Sequence, residues 1–187
     1  ERSAIDSIRI SELTAAGPAG TEDEFVELAN YGTESVNLSG WSARRCYGTG
    51  QPGVGSDVQV ADLGDVTLNP GETYLMAATG APAELRDRAH ATYSVGLNQK
   101  DGFGMYIMDN TGAMVDAVAV YDSAMNNYTP CVQGEEMRHY LKYDEGESAT
   151  RVEGKNERDN ELDFVAAPRT PGELSDAPDV DPTKPLP

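Results

Sequence analysis

Two histidines, His90 and His139, are the side chains of this chain best suited to moving a proton near neutral pH, and it holds no others. Neither stands at HxH or HExxH spacing from a metal-type partner. No G-x-S-x-G elbow offers a nucleophile beside them. Each is therefore read as an exposed or internally satisfied structural residue. The glycine-rich run Gly48-Thr49-Gly50-Gln51-Pro52-Gly53-Val54-Gly55 lacks the Lys and Ser/Thr that a phosphate-cradling loop needs, so it reads as a surface loop. Hard cations take clustered carboxylates and carbonyls, which makes calcium the best cofactor candidate. The oxygen would come from Glu22-Asp23-Glu24 and from Asp159-Asn160-Glu161 with Asp163. Neither cluster follows the EF-hand pattern, and a solvated acidic loop is the simpler reading, so no metal and no cofactor is assigned.

The two cysteines, Cys46 and Cys131, lack CxxC spacing or a paired histidine and do not make a zinc site. They read either as two unrelated buried thiols or as one disulfide closing a loop of 131 − 46 = 85 residues. The disulfide is the reading adopted, because both sit in polar, turn-rich neighbourhoods where an extracellular protein staples itself. In the chain-entropy model its ceiling is about 4–5 kcal/mol.

With 14 Lys and Arg against 32 Asp and Glu, the formal net charge is −18. Phosphate backbones demand clustered basic residues, so general nucleic-acid binding is excluded, and anionic membrane surfaces are disfavoured. Arg44-Arg45, the one basic doublet, reads as a salt-bridged or exposed strand end. No apolar run approaches the ~20 residues of a membrane helix. The polar residues from Glu1 on do not form a secretory leader, so export would place one ahead of Glu1. Asn37-Leu38-Ser39 and Asn127-Tyr128-Thr129 match the N-glycosylation triplet, which matters only in a eukaryotic secretory setting.

The elements that must position these residues are short strands. Ile8–Ser11 alternates, Phe25–Leu28 follows an acidic loop, and Val36–Leu38 alternates again into Gly40-Trp41. Val58–Val60 and Val66–Leu68 are β-branched pieces, and Thr73–Ala77 follows the turn Asn69-Pro70-Gly71-Glu72, whose chemistry is type II. Gly104–Met108 and Met114–Val120, joined by Asp109-Asn110-Thr111-Gly112, read as a hairpin. Only Ala81–Arg88 reads as helical, with Pro82 in its first turn. Tyr121–Glu147 is one long irregular insertion, Ser148–Val152 resumes a strand, and Asp163–Ala166 is the last strand. Trp41, the only tryptophan, and Phe25 are the expected core anchors. Glu27, between Val26 and Leu28, reads as a hydrogen-bonded carboxylate tying down a loop.

In this order the pieces resemble the lamin-tail domain. The resemblance rests on Ile8–Leu13, Glu24–Asn30, Val36–Trp41, Leu68–Leu75, the hairpin around Asn110-Thr111-Gly112, the Arg151 strand, and Asp163-Phe164 with Thr170-Pro171-Gly172. It implies an all-β, immunoglobulin-like two-sheet sandwich. Similar bacterial and archaeal domains occur in exported or surface-attached proteins, often beside nuclease, phosphatase or adhesion modules. The family has no shared catalytic residues to transfer, and the acidity of this chain argues against carrying over the DNA contact of nuclear lamins.

The expectation is a lead-in at 1–7, a lamin-tail-like sandwich at 8–175, and a Pro-rich acidic linker or tail at 176–187. The function expected is a non-catalytic, exported module, extracellular or at the cell surface. It would bind or tether a protein or cell-surface component within a larger protein, without nucleic acid and without inserting into a membrane. The alternatives are a carbohydrate-binding module, calcium-assisted or not, and more remotely a metal-assisted hydrolase.

Overall fold

The computed structural model describes residues 4–46, 57–97, 102–120, 131–138 and 141–174. Its strands are β1 (Ile8–Thr14), β2 (Phe25–Asn30), β3 (Val36–Asn37), β4 (Ser42–Cys46), β5 (Asp57–Asp62), β6 (Thr67–Leu68), β7 (Thr73–Ala78), β8 (Ala91–Tyr93), β9 (Phe103–Met108), β10 (Met114–Val120), β11 (Glu147–Arg151) and β12 (Phe164–Pro168). Two short helices, α1 (Ala83–Arg88) and α2 (Asn160–Asp163), complete the set with single 3-10 turns at Ala4–Ser7 and Tyr143–Glu145. One sheet runs in the order β12-β11-β1-β2-β7-β8, a second in the order β10-β9-β4-β5, and β3 pairs with β6. All pairings are antiparallel except β7 with β8. The fold is a β-sandwich.

Turn chemistry sets two of the connections between sheets, from β6 to β7 and from β3 to β4. In Asn69-Pro70-Gly71-Glu72 the Glu72 amide donates to the Asn69 carbonyl at 3.0 Å, and Gly71 takes φ +78°. That left-handed conformation at the third residue is what a type II turn requires. Leu38-Ser39-Gly40-Trp41 repeats the device, with the Trp41 amide on the Leu38 carbonyl at 3.0 Å and Gly40 at φ +76°. The second turn delivers Trp41 into the space between the sheets, where it is 2% exposed. Phe25, Leu28, Ile10, Leu75, Ile107 and Val118 are all buried in the same cluster.

β1 departs from simple alternation. Its register with β2 shifts between Ile10 and Glu12, leaving Ser11 unopposed. This bulge resets the phase of the strand, so Ile10 and Leu13, three apart, both join the core while Glu12 comes to lie opposite Glu27. The expected helix is present as α1, with Pro82 at its N-terminal boundary. Asp163, read as the start of the last strand, instead ends α2, and the strand begins at Phe164. Residues 121–130, 139 and 140 of the long insertion, the glycine-rich run at 48–55, and the tail from 175 lie outside the described residues.

Candidate functional site

The β1–β11 ladder stops at Glu12, short of Ile10, and buried polar groups need partners. Two charged side chains supply them. Asp116 accepts the Ile10 amide at 2.8 Å, and Arg151 donates from Nε to the Ile10 carbonyl at 2.7 Å. The guanidinium also reaches Asp116 at 2.7 Å, the Lys155 carbonyl at 2.6 Å and, more distantly, Asp163 at 3.6 Å. It lies 4.5 Å from the centre of the Phe164 ring. Arg151 is 1% and Asp116 2% exposed. Burial pushes the Asp116 carboxyl up from its ordinary value, and Arg151 pulls it back. This clamp joins β11 of one sheet, β10 of the other, and β1.

A second buried group lies on β1 and β2. Glu12 accepts Ser148 Oγ at 2.6 Å, the Thr170 amide at 2.9 Å and Thr170 Oγ1 at 2.9 Å. Glu27 accepts Ser11 Oγ at 2.8 Å and the Gly172 amide at 2.6 Å. Both carboxylates are fully buried. Together they hold the segment Thr170-Pro171-Gly172 as a strap against the sheet. Burial pushes Glu27 up to about 7, against the pull of Ser11 and Gly172 and with a push from Glu12. Burial also raises Glu12. Glu24, which accepts the Leu97 amide at 3.0 Å, is likewise pushed by burial to about 7.

These shifts fix the sign of a pH dependence. Folded values near 7 against an ordinary 4.5 mean that the native state holds protons the unfolded chain has released. The stability from Glu24 and Glu27 is therefore full below pH 4.5 and lost as pH rises through 7. Asp65, Glu72 and Asp109 are held below their ordinary values by hydrogen bonds, so their contribution is lost at the acid end instead. Thermal melts are expected to give a maximum Tm near pH 5 and a fall toward pH 8, on the order of a few kcal/mol in all. A Tm that rises from pH 5 to pH 8 would contradict the assignment.

The acidic triplet does not converge on one point. Asp23 is buried against Arg169 at 2.7 Å, Glu24 turns to Leu97, and Glu22 is exposed over Gly80. In the other cluster Asp159 caps α2 by accepting the Glu161 amide, and Asn160 is fully buried. The Asn160 amide accepts from Ala119 N and Gln133 N and donates to the Ala117 carbonyl, each at 3.0 Å, so it closes the free edge of β10. Among the described residues, no group of three or more His, Cys, Asp and Glu side chains is placed to hold a metal.

His90 stacks on Tyr74 with ring centres 5.0 Å apart, and its Nδ1 accepts the Leu75 amide at 3.0 Å. That bond assigns the proton to Nε2. His90 lines a surface cavity of about 480 Å³ with Glu72, Thr73 and Gly172. Arg44 donates to the Tyr106 hydroxyl at 3.0 Å, and Arg45 donates to the Gly96 carbonyl. Cys131 is buried against Ala117 and Tyr106. Cys46 ends β4 opposite Gly104; its side chain, like His139 and Asn127, lies outside the described residues.

Reading the sequence missed the Arg151–Asp116 clamp and the role of Glu12. One signal was available. Alternation along β10 puts Asp116 in the same file as the core residues Val118 and Val120, where an unpaired charge would not be tolerated.

No curated protein sequence matches this chain. Twelve chains of solved structure match it. One is the crystal structure of a DUF4876 family protein from Bacteroides thetaiotaomicron, 10% identical, with 87% of this chain and 68% of that one covered at a TM-score of 0.45. The Lamin Tail Domain family model matches residues 1–122, which carry β1 to β10. That stretch is well over half of the chain, and the chain belongs to the lamin-tail domain family.

Proposed function

We propose that this domain is a non-catalytic, exported module that binds or tethers a protein or cell-surface component as part of a larger protein. The observation that carries the reading is the employment of its buried charges. Asp116, Arg151, Glu12 and Glu27 are all engaged by donors and acceptors of the fold itself. Catalytic groups, by contrast, converge on a space a substrate can enter. No thermal shift with calcium is expected, since neither acidic cluster converges.

A bridge between Cys46 and Cys131 belongs to the same proposal. Its support is that no described cysteine is a free thiol. Position supports it too: Cys46 stands opposite Gly104 on β9, two residues from the Tyr106 that packs on Cys131. Such a bridge persists outside the reducing cytosol. A thiol titration of unfolded, unreduced protein is expected to find none; two free thiols would remove this support for export. Export itself is tested by adding protease to intact cells of the native host. Cleavage or labelling of the domain is expected, and full protection until the cells are broken would overturn the reading.

A further inference from the structure

The tethering reading leaves open which surface takes the partner, and the edges of the two sheets narrow the choice. An edge strand presents a row of unpaired amides and carbonyls, which proteins guard with charges, bulges, brevity or a cover. Among the described residues most edges are guarded. β10 is closed by Asn160 and by the Met137 amide on the Ala119 carbonyl. β5 begins and ends in aspartate, and its register with β4 is shifted between Ala43 and Arg44. β8 is three residues long.

Among the described residues, none of these guards stands on β12 before its last residue, Pro168. Phe164-Val165-Ala166-Ala167 carries no charge and no bulge. Val165, Ala166 and Ala167 are all half-buried, whichever face they turn to, while their partners on β11, Thr150, Ala149 and Ser148, are fully buried. What lies open is therefore the far edge of the strand rather than one of its faces. Leu162, 52% exposed, stands two residues before the strand.

We propose that the outer edge of β12 is a strand-addition site for an extended, positively charged segment of another protein. This rests on the tethering reading and adds the surface and the chemistry of the partner. Main-chain pairing would supply the affinity, with Leu162 as an apolar anchor. The charge of the partner follows from the surroundings. Asp144, Glu145 and Glu147 lie toward the Pro168 end, and Glu157, whose amide donates to Asp163, lies with Glu161 toward the Phe164 end. The basic residues nearby are Arg138, Lys142, Lys155, Arg158 and Arg169, with Arg151 opposite Phe164. Arg138, Lys142, Arg151 and Arg169 are already paired with Glu135, Glu145, Asp116 and Asp23, and the whole chain carries −18. A second copy of the chain is a poor occupant, because two such charges repel.

The test uses a synthetic peptide in which valine alternates with lysine, and a second with glutamate in place of lysine. Binding is read by fluorescence anisotropy and by amide hydrogen exchange along the domain. The lysine peptide is expected to bind, to slow exchange at Val165–Ala167, and to weaken as salt is raised. The glutamate peptide is expected to bind at least about tenfold more weakly. Ala167→Lys puts a guard on the strand, and Leu162→Lys removes the anchor at a half-exposed position where folding is not at stake. Each is expected to weaken binding about tenfold, with an unchanged melting midpoint for Leu162→Lys at least. No binding, equal binding of the two peptides, or protection that bypasses β12 would overturn the edge assignment. So would β12 protection that grows with chain concentration in the absence of peptide, which would make a second copy the occupant. None of these results bears on export, which the protease experiment decides separately.

Discussion

Arg151→Ala is expected to destabilise the domain by about 3–5 kcal/mol, the range for removing one partner of a buried ion pair. The cost comes from what is left behind. Asp116 would remain 2% exposed without its counter-charge, and the Ile10 and Lys155 carbonyls would each lose a donor. The stranded carboxyl should then hold its proton to higher pH, so the deficit should shrink as the solution is made more acid. Urea unfolding at two pH values measures both effects. The pair variant Arg151→Met with Asp116→Leu should recover part of the loss, because well-packed apolar residues often replace a buried pair at little cost. Recovery should be incomplete, since the Ile10 amide that Asp116 accepts would be orphaned at about 1–3 kcal/mol. A single mutant within ~0.5 kcal/mol of wild type, the range of an ordinary surface substitution, would show that the clamp does not hold the two sheets together.

Trp41→Ala is expected to cost about 3–5 kcal/mol, the range for large aromatic truncations in a core. The residue is 2% exposed, and its backbone is fixed on both sides, by its own amide on Leu38 and by the Leu63 amide on its carbonyl. Those bonds would keep the neighbouring turns from closing over the cavity, so relaxation should be limited. At roughly 2–4 °C per kcal/mol for a domain of this size, the midpoint should fall by about 6–20 °C. Trp41→Phe should lose far less. As the only tryptophan, Trp41 also reports on itself: native emission should be blue-shifted and should move red in step with unfolding. Emission already red in the native state would place the ring in water and contradict the packing.

Local chemistry made much of the fold legible. The β9–β10 hairpin, the Pro70-Gly71 turn and α1 each follow from neighbouring residues, and each stands where local pattern and turn preference agree. The long-range features did not declare themselves. β11 pairs with β1 across more than a hundred residues, and the bulge that sets the β1 register has no local marker. Glu27 reads from the sequence as a hydrogen-bonded carboxylate tying down a loop, whereas nothing in the sequence singles out Glu12. Only the register shows that they stand opposite each other and share a strap from the far end of the chain. Asp159-Asn160-Glu161 looked like a solvated acidic loop because composition says nothing about a buried amide completing the edge of a distant strand. Arg151 gave no signal at all, since an arginine in an alternating run reads as solvent-facing until its neighbours in space are known.

The central claim is that β11, β12 and the strap, all beyond residues 1–122, are integral to the same sandwich as β1 and β2. Native-state hydrogen exchange across a denaturant series tests it most directly, because it resolves the opening free energy of each segment. The slowest amides of β1, β2 and β11 should converge on one opening free energy with one denaturant slope, as expected when Arg151, Asp116, Glu12 and Glu27 tie these strands together. If β11 and β12 instead open together at several kcal/mol below β1 and β2, the strands beyond the family match are an appendage and the account fails.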